Sequence, residues 1–257
     1  MKSKLSEPVE YQIPLGDDTF PIGDSIGRTV TLKFDGDIFC VGCGRKIKKT
    51  FADGYCYPCF QNHPECDPCV LRPELCEAHE GRARDMDWAR EHCLQKHVVY
   101  LSVSSNLKVG VTRMSQVPTR WIDQGAHMAI RLAHPPNRHT AGLIEVELKK
   151  HIQDKTDWRR MLKNEHPDDI DLRTEKKRML ELLPADLKKF AVKDNAITRI
   201  AFPVLEYPQK VKSIGFDKQP EIKGKLMGIK GQYLIFDGGL VTNLRKHQGY
   251  VVSISSR

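Results

Sequence analysis

Four cysteines in the spacing CxxC, twelve residues, CxxC constrain this chain more than any other feature. They are Cys40, Cys43, Cys56 and Cys59. Four thiolates so spaced can meet one tetrahedral zinc ion at about 2.3 Å. Gly44 follows the first pair, where a tight knuckle turns backbone N–H groups toward the sulfurs, and Asp53-Gly54 supplies a turn between the pairs. With four protein ligands the site is closed, so its role is structural. A second group begins at Cys66 and Cys69 and continues with Cys76 and His79. A second zinc on Cys66, Cys69, Cys76 and His79 is chemically ordinary; Cys93 or His97 could replace one of them, and His63 and His92 are further candidates.

All eight cysteines lie between residues 40 and 97, a stretch short on aliphatic residues that buries little core without metal. No apolar run reaches the roughly 18 residues of a membrane helix, and residues 1–14 lack the apolar stretch of a secretory signal. The expected address is therefore the cytoplasm, where disulfides are rare and clustered cysteines hold metal. Hydrophobic residues make up 40% and charged residues 29%, which excludes wholesale disorder.

The net charge of +8 is unevenly spread: residues 1–97 carry 13 Lys/Arg against 16 Asp/Glu, so the remainder carries +11. A basic region of this kind points to a polyanion, most commonly DNA or RNA. Residues 195–257 hold 10 Lys/Arg against 4 Asp/Glu, interleaved with Tyr207, Phe216, Tyr233, Phe236 and Tyr250. Such strands can bind single strands by stacking and phosphate contact.

The organisation predicted is α+β. N-terminal strands over 1–39 pair with the C-terminal sheet. A zinc-ribbon or treble-clef module spans 40–97, a β-β-α-β-α domain 98–165 and a helical segment 166–194. A basic β-barrel or curled sheet occupies 195–257. In the middle domain, His97–Val103 and Leu107–Thr112 read as a hairpin, Pro118–Gln124 as a short helix, Ala126–Ala133 as a third strand and Thr140–Gln153 as an amphipathic helix. Residues 168–191 read as helical, capped by Asp169 or Asp171 and broken at Pro184.

The middle segment resembles the GIY-YIG nuclease domain. Tyr100 sits late in the first strand, where that family has its first Tyr, and Lys108-Val109-Gly110-Val111-Thr112 occupies its second motif, with Lys108 in place of the second Tyr. Arg120 matches the family's helix Arg, and Glu145 its metal-binding Glu. The resemblance implies a phosphodiesterase. Glu145 would hold Mg²⁺ or Mn²⁺, Arg120 would clamp the scissile phosphate, and Tyr100 would position water with Lys108 beside it, all four on one open face. Arg113 is an alternative phosphate residue. Over its whole length the chain is similar to an uncharacterised bacterial family that joins a cysteine-rich zinc module to such a domain. The likeness rests on 43–45, 118–126 and 154–158 (Cys-Gly-Arg, Pro-Thr-Arg-Trp-Ile-Asp-Gln-Gly-Ala and Asp-Lys-Thr-Asp-Trp). Two functions follow: a zinc-binding, nucleic-acid-binding protein with possible metal-dependent cleavage, or a non-catalytic zinc-stabilised module for a protein or ribonucleoprotein partner.

Overall fold

A computed structural model describes residues 1–152 and 156–257. The chain is mixed α+β. Its strands are β1 (Lys2–Lys4), β2 (Glu10–Leu15), β3 (Asp18–Phe20), β4 (Thr29–Phe39), β5 (Lys46–Ile47), β6 (His97–Val103), β7 (Leu107–Arg113), β8 (Met128–Ala133), β9 (Ile197–Arg199), β10 (Lys212–Ser213), β11 (Glu221–Lys230), β12 (Tyr233–Phe236), β13 (Leu240–Asn243) and β14 (Tyr250–Ser256). Its helices are α1 (Tyr57–Asn62), α2 (Met86–His92), α3 (Thr119–Asp123), α4 (Arg138–Lys149), α5 (Trp158–Leu162), α6 (Leu172–Leu182) and α7 (Ala185–Lys188).

Among the described residues the strands form three sheets. β1, β2 and β3 pair among themselves; a curled sheet runs β10-β13-β12-β11-β4-β14 with β5 on β4; the middle sheet runs β7-β6-β8-β9. The curl comes from β11, which changes partner along its length. Glu221–Lys225 pair with β4, and from Leu226 onward the strand pairs with β12 across a bulge at Leu226/Gly228. A bulge adds local twist and bends the strand. Gly228 is required there, because a Cβ would stand 2.6 Å from the Cα of Val204. The region 195–257 does not form one sheet: β9 ends at Arg199 and belongs to the middle sheet, beside β8. β13, a strand the sequence reading lacked, supplies the pairing between β12 and β10.

The middle sheet is covered on both faces, so every residue of β6 is buried. Successive strand residues point to opposite faces. Val98 and Tyr100 accordingly join a core with Trp121, Ile122, Leu32, Ile222 and Leu234, while Val99, Leu101 and Val103 join Ile144, Leu148, Leu172 and Met179. β6, β7, α3, β8 and α4 follow in the order read from the sequence. The last residue of the long helix reading, Gln153, and Asp154 and Lys155 of the 154–158 stretch lie outside the described residues. α6 is capped by Asp171, whose carboxylate accepts from the Arg173 N–H, and stops before Pro184.

Candidate metal centre

The first cluster is built by short-range backbone geometry. Past β4 the chain turns at Cys40–Gly44; the Gly44 N–H donates to the Cys40 carbonyl at 2.8 Å, and Gly44 adopts φ 70°. The Cys40 N–H donates to the Arg45 carbonyl, and β5 returns alongside β4. The second pair enters at the start of α1: Cys56 is its N-cap residue, Cys59 lies in its first turn, and Pro58 suits the positions where an N–H has no helical partner. The Cys56 N–H donates to the Cys40 sulfur at 3.2 Å. All four sulfurs lie within 4.8 Å of one another, and Cys43 Sγ and Cys56 Sγ are 3.8 Å apart. Ligands at about 2.3 Å around one tetrahedral ion stand about 3.8 Å apart. Burial pushes the Cys40 thiol up, but the N–H groups of Cys56, Cys43 and Gly42 pull it down to about 6, favouring the thiolate that binds metal.

The second cluster gathers Cys69, Cys76 and Cys93, all buried. Three short elements deliver them. Cys69 sits in the turn Pro68–Val70, whose entry is fixed by the Asp67 carboxylate accepting from the Cys69 N–H at 2.9 Å. Cys76 follows the turn Pro73–Leu75, and Cys93 follows α2. α4 docks on this unit. Its Arg138 N–H donates to the Cys93 carbonyl, Nη1 to the Cys69 carbonyl at 3.2 Å and Nη2 to the His92 carbonyl at 3.3 Å. Gly142 lets the helix touch the backbone of the Pro73–Leu75 turn: a Cβ there would lie 2.1 Å from the Glu74 nitrogen.

Cys66 and His79 stand apart from this group. Cys66 packs against Cys40, Tyr55 and Cys56, on the side of the first cluster. His79 stacks on His139, with ring centroids 4.3 Å apart. His63 stacks on Tyr55 and His92 on Trp88. His97 is buried; its Nδ1 lies 2.6 Å from the Gln95 carbonyl and its Nε2 has no hydrogen-bond partner.

The four residues of the middle domain come near one another only in part. Tyr100 pairs with Gly110 and Ser102 with Lys108, so Tyr100 and Lys108 share a face of the sheet. The Tyr100 hydroxyl donates to Gln124 Oε1 at 2.9 Å, and its ring passes close to Gly110, where a Cβ would stand 2.6 Å from the oxygen. Burial pushes this hydroxyl up to about 12; the Arg120 guanidinium beside it opposes the rise and the Glu145 carboxylate adds to it. Lys108 Nζ donates to Thr156 Oγ1 at 2.9 Å. Glu145 belongs to α4, which packs through Ala141, Ile144 and Leu148 on the opposite face from Tyr100, and its carboxylate is 3.4 Å from Lys149 Nζ. Tyr100 is wholly buried, and Lys108 and Glu145 are 6% and 8% exposed. Gln124 and Thr156 were read only as members of the 118–126 and 154–158 stretches, and Arg138 was not singled out from the sequence. None carries a spacing signal; their roles appear only when distant segments meet.

Residues 27–252 match the family model DUF2797, described as a protein of unknown function. The chain belongs to this family. The DUF2797 match takes in both cysteine clusters, the middle sheet and most of the curled sheet. No curated protein and no solved structure matches the chain. The GIY-YIG resemblance therefore rests on the residues alone. Among the described residues, no helix is long and apolar enough to cross a membrane.

Proposed function

We propose that this DUF2797 member is a zinc-stabilised nucleic-acid-binding protein that grips the phosphate backbone without cutting it. The observation that carries the reading is the outer face of the curled sheet. Lys33 on β4 and Lys223 and Lys225 on the adjoining β11 are exposed side by side, with exposed Ser253 and Ser255 on β14. Lysines at this spacing suit successive phosphates, and the Ser255 hydroxyl can donate to a phosphate oxygen, whereas that of Ser253 is given to the Asp35 carboxylate. Two acidic residues share this face, Glu221 directly opposite Lys33 and exposed Asp35 bonded to Ser253. Phe216 and Phe236 are buried in the core and Tyr233 stacks on Trp158, so base stacking is not the basis of the reading. The second zinc cluster holds an otherwise core-poor segment against α4.

The GIY-YIG likeness enters as a scaffold. Cleavage asks for a substrate phosphate to reach tyrosine, arginine and a metal-bearing carboxylate together. Here the Arg120 and Glu145 charges reach the tyrosine hydroxyl, but that hydroxyl is enclosed and bonded to Gln124, and Tyr100, Lys108 and Glu145 are all buried away from an incoming phosphate. A second reading, a zinc module for a protein partner, is favoured by exposed Tyr57, Phe60 and Leu71 in the cysteine-rich segment, where the chain is not basic.

Fluorescence anisotropy with labelled single- and double-stranded DNA and RNA tests the proposal. Replacing Lys33, Lys223 and Lys225 together by Gln is expected to weaken binding at least tenfold at low salt and to reduce the salt slope by about 3 on duplex DNA. Unchanged binding by this variant would refute the assigned face. Cleavage in Mg²⁺ or Mn²⁺ that Glu145→Gln abolishes would refute the claim that the chain does not cut.

A further inference from the structure

The two clusters differ in what surrounds them. The first has four sulfurs. The second has three, and among the described residues no fourth His, Cys, Asp or Glu donor joins them. Cys69, Cys76 and Cys93 all line one cavity of about 390 Å³, which none of the first cluster's cysteines reaches. That volume is many times the roughly 30 Å³ of a water molecule. Asp67 and Arg84, 3.3 Å apart, and Trp88 also line it.

Charge points the same way. Arg138 is 9% exposed and, among the described residues, has no carboxylate at ion-pair distance; its Nε is buried without a partner. A buried guanidinium needs a compensating anion. Three thiolates around a divalent ion leave one negative charge, and Arg138 lies against the carbonyls that flank those thiolates.

We propose that Cys69, Cys76 and Cys93 hold a divalent ion of the zinc class through three protein ligands and leave its fourth position facing the cavity, where it takes a small thiol. The proposal rests on the zinc reading of the clusters. Three protein ligands with an exchangeable fourth position are the arrangement of reactive metal sites, whereas four are that of structural ones. Sulfur is the class of donor inferred because a thiolate-rich site selects soft partners. As the metal–sulfur bond forms, the thiol proton passes to solvent. The mixed-sign wall of Asp67 and Arg84 suits a zwitterionic thiol, and Trp88 its apolar part. His97, whose buried Nε2 has no hydrogen-bond partner, is the competing donor tested; if it closes the site, the second metal is structural like the first.

The test uses the full chain with cobalt(II) incorporated during expression and 2-mercaptoethanol as the probe. Two cobalt ions per chain are expected. The probe should produce a saturable rise in sulfur-to-cobalt charge-transfer absorption, at one of the two ions. His97→Ala and Cys66→Ser should keep both the starting spectrum and the response. Cys76→Ser should lose the response and one cobalt; if that variant does not fold, the wild-type chain and His97→Ala decide alone. No response with two cobalt ions bound, a starting spectrum altered by His97→Ala or Cys66→Ser, or a single cobalt per chain would overturn the proposal while leaving the first cluster intact. No cobalt at all would overturn the zinc reading with it.

Discussion

At the residue scale, Cys56 and Tyr100 show how similar burial serves different ends. Cys56 is buried, donates its N–H to the Cys40 sulfur and opens α1, so its thiol is tied to both halves of the first cluster. Cys56→Ser is expected to lose one zinc per chain and several kcal/mol of stability, since site formation is coupled to folding. Metal analysis and urea unfolding check this together. Tyr100→Phe removes one hydroxyl and its bond to Gln124. A loss of about 1 kcal/mol is expected, with nucleic-acid affinity unchanged. A large fall in affinity would place Tyr100 at the binding surface after all. The first cluster was legible because its ligands are set by spacing along the chain. The second was legible only as a group of thiols. Cys66 and Cys69 look like a pair, but the turns at Pro64–Cys66 and Pro68–Val70 leave Cys66 beside the first cluster and carry Cys69 toward Cys76. Short turns of this kind leave no periodic trace.

At the scale of elements, α4 holds the cysteine-rich segment to the middle sheet. Ala141, Ile144 and Leu148 face the sheet, while Arg138 and Gly142 face the cysteine turns. In an isolated helix Gly→Ala is stabilising by roughly 0.5–1 kcal/mol. Gly142→Ala is expected to do the opposite here, because the new methyl meets backbone at Glu74 that cannot rotate away. Thermal unfolding of the variant should show a lowered midpoint; a raised one would mean that α4 and the turn do not touch. The helix itself was readable from its apolar spacing. Its docking was not, since the sequence shows a helix glycine only as a weak point. β13 and the partner change along β11 were hidden for a related reason: register across strands is settled by which segments meet, not by local pattern.

At the scale of the whole molecule, two effects act across the fold. One is a dependence on pH. His127 stacks on His166 with centroids 3.8 Å apart, and burial, then the neighbouring charges of His166, Lys230 and Arg199, hold it down to about 4. Between its ordinary value near 6.5 and about 4, the unfolded chain binds a proton the folded chain does not. Stability therefore falls as pH drops through that window. His127→Gln should flatten the fall in urea-unfolding free energy between pH 6.5 and 4; an unchanged slope would assign the acid sensitivity elsewhere. The other effect is metal. The cysteine-rich segment packs around its sulfurs, with Tyr55, Ala78 and Ala89 as the main buried partners. An account in which this segment is held by metal stands or falls on metal content, and native mass spectrometry of freshly purified, folded chain measures it directly. The mass under native conditions should exceed the denatured mass by two zinc ions, and chelation should unfold the protein. A folded chain with no bound metal would contradict the account.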